Sequence, residues 1–479
     1  MLYQAELHPD TGHDWRRAEP RSLTQSGIRH KPAAGARTGN WRGAMTVRLI
    51  HRSALAAALL AAIPGTASAA SFYIIESSAS RLGNAFAGTA SSADDASTVF
   101  FNGAGMTRLN GPTAQLGGHF IQPEADFENQ GSTNNTTGMP LSGSDGNTDD
   151  SALVPNFYYS APLNDTVSVG LGINAPFGLT SEYDDDWVGR YHATNSELET
   201  VNINPSVAFQ ATDQLSLGFG VNYQSIDATL ENKVDASQQG IQAFDGDSRI
   251  TGDDRSFGFD LSMLYEFDSD TRVGLSWRQG VDYTLEGEAN FDRSQACDAD
   301  PTCSAGFDAL EMAREGDVRA EIELPDIITL SGTHGIGDNW RVDADIAWYE
   351  WESIQQLRIV RTTGVPVSTL DLEYENTFRY SLGGTYTGLD STKLRAGVAY
   401  DESPISSPET TSPRIPDGDR TWITFGANFE LSDTASIDVG YAHLFVDEVK
   451  VNNTEQGNTL RGEFDPTVDI LSVAGNWRF

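Results

Sequence analysis

Along most of this chain, apolar and polar residues alternate one by one. Leu215, Leu217, Phe219, Val221 and Tyr223 fall on one side of an extended segment, with Ser216, Gly218, Gly220, Asn222 and Gln224 on the other. That is the period of a β-strand, not of a helix. The rhythm returns from Phe257 to Phe267, from Val273 to Trp277, from Val342 to Trp348 and from Ile423 to Phe429. In a soluble sandwich such strands average about five or six residues, and these are longer. Their polar face carries glycine, serine and charge, which suits an outer-membrane barrel with apolar residues toward lipid and a wet lumen.

The connections between alternating runs give the strand number. Short turns built on Asp or Asn occur at 163–166, 211–214, 268–271, 337–339, 389–392 and 431–434, residues that tolerate tight backbone geometry. Longer acidic connections rich in Gly, Ser or Pro lie near 129–150, 184–197, 234–253, 292–316, 361–369, 405–418 and 452–458. Six short and seven long connections join fourteen strands, with both ends on the short-turn, periplasmic side. The expected fold is therefore all-β: a 14-stranded antiparallel transmembrane β-barrel over residues 112–479. The closing strand, DILSVAGNWRF, places Leu471, Val473, Trp477 and the terminal Phe479 on one face. It resembles the C-terminal signal read by the barrel assembly machinery.

Ahead of the barrel, residues 45–69 have Arg48 and Arg52, an apolar core from Ala54 to Ile63 and the small-residue site Ala67-Ser68-Ala69. These are the parts of a cleaved secretory signal, so residues 1–44 read as an over-extended N-terminus. No later window of about 18 apolar residues exists to form a membrane helix. Residues 70–111, rich in Gly, Ala, Ser and paired Asp, precede the first strand on the periplasmic side. A barrel of fourteen strands is too wide for its own side chains to fill, so this segment reads as a hatch (plug) inside the lumen, with FYII (72–75) and VFF (99–101) as apolar anchors.

Charge narrows the function. The 479 residues hold 31 Lys and Arg against 68 Asp and Glu, a net charge of −37, which argues against nucleic acid as a partner. After residue 69 only four histidines remain, His119, His192, His334 and His443, with no Gly-x-Ser-x-Gly, so no nucleophile with an orienting base is evident and an enzyme is not expected. No cofactor is indicated. Cys297 and Cys303 are expected to close a disulfide in an oxidising compartment. The acidic run Asp184-Asp185-Asp186 reads as a solvated loop, and no specific metal site is assigned.

The stretch ASFYIIESSASRLGNAFAGTASSADDAS resembles the hatch of FadL/TodX-type outer-membrane transporters of long-chain fatty acids and hydrocarbons. The likeness continues through VPNFYYSAPLND, LETVNINPSVAFQ, WESIQQL, DESP and IPDGDRTW, nearly all of residues 70–479. It implies passive uptake of a hydrophobic small molecule, past lipopolysaccharide and into outer-membrane lipid of a Gram-negative cell, by a monomer. The alternative is a structural or adhesin barrel without transport. By the resemblance, Phe72 lies near the ligand, with Ile74 and Ile75 beside it. Asn102, Gly103 and Ala104 replace the family's Asn-Pro-Ala hatch turn, a permissive glycine standing for the rigid proline. The lateral opening falls at Asn174, Pro176 and Gly178, where a proline without N–H interrupts the third strand. The two basic positions that hold a carboxylate in fatty-acid members align with Asn232 and Leu370, neither basic, which leaves Lys233, Arg358 and Arg361 as substitutes and a neutral hydrocarbon as an equal choice.

Overall fold

A computed structural model describes residues 71–479. The leader expected at 45–69 and the extension expected at 1–44 lie outside the described residues, as does Ala70. Fourteen strands follow one another: β1 (Thr113–Asn129), β2 (Ala152–Pro162), β3 (Val167–Asn174 and Gly178–Glu182), β4 (Asn195–Gln210), β5 (Leu215–Val234), β6 (Gly246–Glu266), β7 (Thr271–Arg278 and Asp282–Asp292), β8 (Gly316–Glu323 and Ile327–Ile336), β9 (Trp340–Tyr349 and Gln356–Arg361), β10 (Pro366–Asp371 and Thr377–Leu389), β11 (Thr392–Asp401), β12 (Arg420–Ser432), β13 (Ala435–Val446 and Val449–Glu455) and β14 (Asn458–Arg478). Each pairs antiparallel with its neighbours in sequence, and β1 closes on β14 from Thr113 opposite Arg478 to Asn129 opposite Gly462. The barrel has no free edge there.

Alternation sorts the side chains as the dyad period requires. Phe219, Phe257, Leu261, Leu382, Phe425 and Leu471 stand exposed on the outer wall, while Ser216, Asp260, Asp343, Thr424 and Ser472 are buried in the lumen. All six short turns join strands where expected. Three of the longer connections are shorter than the sequence implies. The β5–β6 ladder runs through Val234 opposite Gly246, β9 and β10 meet in a tight turn at 362–365, and β13 and β14 at Gln456-Gly457. Gly364, at φ 87, and the pair Gln456 and Gly457, at φ 51 and 77, supply left-handed backbone. Antiparallel pairing needs no apolar face once it leaves lipid, so these strands continue in acidic sequence that reads as loop. The 292–316 connection also differs, because it is helical.

Two short helices, α1 (Ala79–Leu82) and α2 (Thr98–Phe101), and a 3₁₀ turn at Gly103–Arg108 shape the segment before β1. The connection between β7 and β8 forms α3 (Gln295–Ala299) and α4 (Pro301–Arg314). Asp300 caps α4 by accepting from the backbone N–H of Thr302 at 2.8 Å and Cys303 at 2.9 Å, with Pro301 in the first turn where a missing N–H costs nothing. Cys297 and Cys303 are bonded to each other.

Residues 71–108 sit against the inner wall and are bonded to much of its circumference. Thr107 meets Ser216 of β5 at 2.7 Å, and the Ala104 N–H donates to Ser262 of β6 at 3.0 Å. Ser91 meets Ser331 and Thr333 of β8, Asp345 of β9 accepts from the N–H groups of Gly88 and Thr89 at 2.6 and 3.0 Å, and Asn84 donates to Asp343 at 3.0 Å. Inside the plug itself, Arg81 pairs with Asp94 at 3.2 Å, and Arg341 of β9 reaches the same carboxylate at 2.8 Å. One close approach is at β12, where a Cβ added to Gly426 would lie 2.7 Å from the Gly83 Cα. Backbone atoms on both sides cannot yield to such a group. Gly426→Val is therefore expected to dislodge the hatch while leaving the barrel closed. Hydrogen exchange should become at least tenfold faster at 79–88, with the heat-modifiable mobility of a folded barrel retained in gel electrophoresis.

Candidate ligand pocket and wall opening

Strand β3 breaks where its sequence predicts. Asn174 pairs with Asn202 and Gly178 with Glu199 of β4, so three residues of β3 oppose two of β4. This is a bulge forced by Pro176, which has no N–H for the ladder. The Thr200 hydroxyl holds the extra residue, donating to the Phe177 carbonyl at 2.6 Å and accepting from its N–H at 3.0 Å. On the other side, the β2–β3 ladder ends at Phe157 opposite Ile173, leaving Ala152–Asn156 of β2 without a partner on β3. Leu153 and Phe120 stand exposed on the outer wall beside this gap, so it faces lipid tails and not the aqueous loops.

The vacated edge of β3 is taken by the hatch. The Ile74 N–H donates to the Pro176 carbonyl at 2.8 Å and the Gly178 N–H to the Phe72 carbonyl at 2.9 Å, with Tyr73 opposite Phe177 in an antiparallel bridge. Residues 72–74 thus stand in for β2 at the kink. Their rings extend across the lumen: Phe177 to Phe72 at 5.9 Å, Phe72 to Trp351 at 5.2 Å and Trp351 to Tyr374 at 6.0 Å. Tyr73 lies 5.3 Å from Phe177 and 5.5 Å from Tyr349. The Ser71 N–H is held by Asp417 at 2.9 Å, which fixes the start of the described segment to the β11–β12 loop.

Phe72 borders an apolar cavity of about 100 Å³ formed by Leu198, Leu230, Ile250, Leu285, Val318, Ile359 and Leu370, inward-facing residues of β4 to β10, with Ile415 and Arg414 from the β11–β12 loop. Ile74 and Ile75 are buried in the same core but do not line the cavity. Asn102 opens the hatch turn by accepting from the Ala104 N–H at 3.0 Å, and its amide donates to the Ala90 and Met263 carbonyls at 2.6 and 3.0 Å. Gly103 and Ala104 follow in the 3₁₀ turn, well below the cavity.

The three basic residues expected beside a carboxylate are elsewhere. Lys233 is paired with Asp185 at 2.9 Å and Asp247 at 2.6 Å, so the acidic run Asp184–Asp186 supplies a partner for a lysine. Among the described residues, no group of His, Cys, Asp or Glu is placed to hold a metal ion. Arg358 is exposed, alternating with the lumen-facing Leu357 and Ile359, and Arg361 lies opposite Val318 near the end of the β8–β9 ladder. Two cations border the cavity, Arg319, which is exposed, and Arg414, which is only 5% exposed. The Arg414 guanidinium donates to the Ser196 hydroxyl at 2.8 Å, the Asn195 carbonyl at 3.0 Å and Asn232 at 3.5 Å. Its Nε has no acceptor, and among the described residues no carboxylate forms an ion pair with it. Leu370 lines the same cavity. Both aligned positions therefore border one place, and the buried charge there comes from a third residue. Arg414 sits between prolines in a Ser- and Thr-rich loop, where no period tells inside from outside. Its adjacency to IPDGDRTW was the only available signal.

Below the aromatic rings, Glu76 of the hatch is fully buried and neither carboxylate oxygen has a partner. Burial pushes this carboxyl up to about 7, against the pull of Arg420 and Arg379.

A transmembrane barrel stoppered by its own leading segment, with an apolar cavity above the stopper and a break in its wall beside it, is an outer-membrane transport protein and not an enzyme. Residues 60–479 match the outer membrane protein transport protein family (OMPP1/FadL/TodX), to which this chain belongs. Outer membrane protein P1 of Haemophilus influenzae is 31% identical, the match covering 86% of this chain and 95% of that protein. The long-chain fatty acid transport protein of Escherichia coli K12 is 29% identical over 84% of this chain and 94% of its own. A FadL homologue from Pseudomonas aeruginosa, solved by crystallography, superposes with a TM-score of 0.79 at 25% identity, covering 86% of this chain and all of that one. The toluene transporter TodX of P. putida, at 17% identity and a TM-score of 0.63 over 87% and 99% of the two chains, shares the fold.

The Glu76 carboxyl gives a pH dependence with a definite sign. Its folded value lies above its ordinary value of 4.5, so the native hatch binds a proton that the displaced hatch releases, and docking weakens as pH rises from about 4.5 to about 7. Hydrogen exchange at 71–82, corrected for its intrinsic pH dependence, should be severalfold better protected at pH 5 than at pH 8. Glu76→Gln should abolish the difference.

Proposed function

We propose that this protein takes up long-chain amphiphiles carrying an acid head group across the outer membrane without energy input. The apolar tail occupies the cavity above Phe72, and the molecule leaves sideways between β2 and β3. The observation that carries this reading is the Phe72–Ile74 bridge, in which one segment both borders the cavity and completes the wall at its gap. A ligand that displaces Phe72 from the cavity side removes the strand that closes the exit. Two backbone hydrogen bonds at about 1 kcal/mol each and four aromatic contacts at about 1 kcal/mol each hold that segment. Roughly seven or eight buried methylenes at about 0.8 kcal/mol each are enough to offset them. A long alkyl chain meets this requirement and a short one does not.

The lateral direction has a physical reason. Below the rings, the lumen is crowded with polar groups, Asn174, Asn202, Asn204, Asn222 and Asp260 among them, and moving methylenes through them is unfavourable. Beside the kink lie Leu153, Phe120 and the hydrocarbon of the outer leaflet.

Arg414 favours an acid over a neutral hydrocarbon, because a buried guanidinium with an unsatisfied Nε is stabilised more by a carboxylate than by the neutral carbonyl of a methyl ester. Hydrogen bonds to charged groups contribute about 1.5–3 kcal/mol. Arg414→Met should therefore weaken binding of oleate to the purified protein by about tenfold or more and that of methyl oleate far less, with Arg414→Lys in between. Equal affinity for acid and ester in the parent protein would sink the acid assignment. For the exit, Pro176→Val, which returns an N–H to the open edge of β3, should favour pairing across the β2–β3 gap and reduce uptake of radiolabelled oleate into cells severalfold, with pocket affinity retained. Unchanged uptake would instead favour a barrel that does not release cargo through its wall.

A further inference from the structure

Four polar side chains join the hatch to the base of the β3 kink by a route separate from the Phe72–Ile74 bridge. Arg278, the last residue of the lower part of β7, donates through Nη2 to the Phe100 carbonyl of α2 at 2.6 Å, and its guanidinium lies 4.2 Å from the centre of the Phe100 ring. Through Nη1 it donates to Asn222 Oδ1 of β5 at 2.5 Å. The same oxygen accepts from Asn202 Nδ2 of β4 at 3.1 Å, and that nitrogen also donates to Asn174 Oδ1 at 3.2 Å. Asn174 is the last paired residue of β3 before the bulge, and Phe100 stands two residues before the Asn102 hatch turn. The chain therefore runs from beside the hatch turn to the edge of the β3 bulge.

Its chemistry gives it two arrangements. Asn174 Nδ2 and Asn202 Oδ1 are buried without partners, so these amides can also bond with donor and acceptor reversed, Asn174 donating to Asn202 and Asn202 accepting. Arginine is a donor only, so while it is held by the Phe100 carbonyl it draws the oxygen of Asn222 toward itself, and together with Asp260, whose carboxylate accepts from Asn222 Nδ2 at 3.1 Å, it selects the present order. Among the described residues, no carboxylate forms an ion pair with Arg278. Its position is set by the hatch carbonyl and by Asn222, not by a charge on the wall. If α2 moves, the Arg278 half of that restraint goes with it and only the Asp260 half remains.

We infer that Arg278 is a positioning residue that couples hatch placement to the conformation of the β3 kink through Asn222, Asn202 and Asn174. This rests on the reading of the kink as the exit, and it adds a second link beside the one formed by residues 72–74. Coupling of this kind is reciprocal. A change at the wall end has to be felt at the hatch, which a side chain serving only to brace its own neighbourhood would not produce.

The test uses the full chain in lipid bilayers, read by hydrogen exchange at two places, the hatch turn (98–106) and the kink (170–178). Arg278→Met should speed exchange about tenfold at both, although the hydrogen bonds of Arg278 go to β5 and the hatch and reach β3 only through Asn222 and Asn202. Asn202→Ala, made at the wall, should speed exchange severalfold at 98–106. Arg278→Lys, which keeps the charge but not the two-pronged geometry, should restore protection at the hatch more fully than at the kink. Asn202→Ala carries the same test if Arg278→Met does not yield a folded barrel. If each substitution alters exchange only in its own neighbourhood, the coupling is refuted. The readout does not depend on transport. Coupled exchange with uptake insensitive to the kink would remove the exit reading and keep the coupling, and uncoupled exchange with uptake sensitive to the kink would do the reverse.

Discussion

In hydrocarbon, every backbone N–H and C=O has to find a partner within the protein, since no water is there to replace one. The β1–β14 closure meets this demand at the seam, and the remaining neighbours meet it along the lower wall. The β2–β3 seam is where the ladder stops in the band of lipid-facing residues, above Phe157 and Ile173. An open edge there is tolerated because it is partly re-paired from inside by Phe72 and Ile74 of the hatch. The plug is thus more than a stopper in a bore, because residues 72–74 also pair as a strand of the wall. This joins two tasks, blocking the lumen and closing the flank, in a single short segment.

Apolar and polar material is layered inside the barrel in a way that makes this arrangement useful. The cavity above Phe72 is apolar with the buried cation Arg414 at its side, the rings of Phe177, Phe72, Trp351 and Tyr374 form a partition, and amides, hydroxyls and carboxylates lie beneath. A hydrophobic molecule held at the partition meets a polar floor below and lipid to the side. Glu76, buried without a partner under the partition, makes the docked hatch less secure than a fully satisfied interface, which places it toward the less stable part of the structure.

Much of the fold was legible because its physical cause is local. A dyad period says which side chain faces lipid, Asp and Asn mark tight turns, and Pro176 cannot extend a ladder whatever surrounds it. The upper halves of the strands were less legible. Beyond the membrane the pairing runs on in acidic sequence, and the signal that marks a strand in lipid is absent there. The helices over 295–314 were hidden for a related reason: their polar, Cys- and Asp-rich sequence reads as turn, and the cap at Asp300 and the disulfide do what periodicity does elsewhere.

Sequence alone determined the barrel, the strand that breaks and the presence of a plug, since each follows from the residue types at single positions or from their period. Which residues meet inside was decided by closure of the cylinder, which brings Phe72, Phe177, Trp351 and Arg414 together from four distant stretches. Lys233, Arg358 and Arg361 were reasonable carboxylate partners by proximity in the chain, but one turns to acidic neighbours and another faces outward. Arg414 reaches the cavity from a loop with no rhythm at all. A strand's period tells inside from outside, but it carries no information about which distant residue stands across the lumen. That depends on strand order and register, which exist only once the sheet has closed.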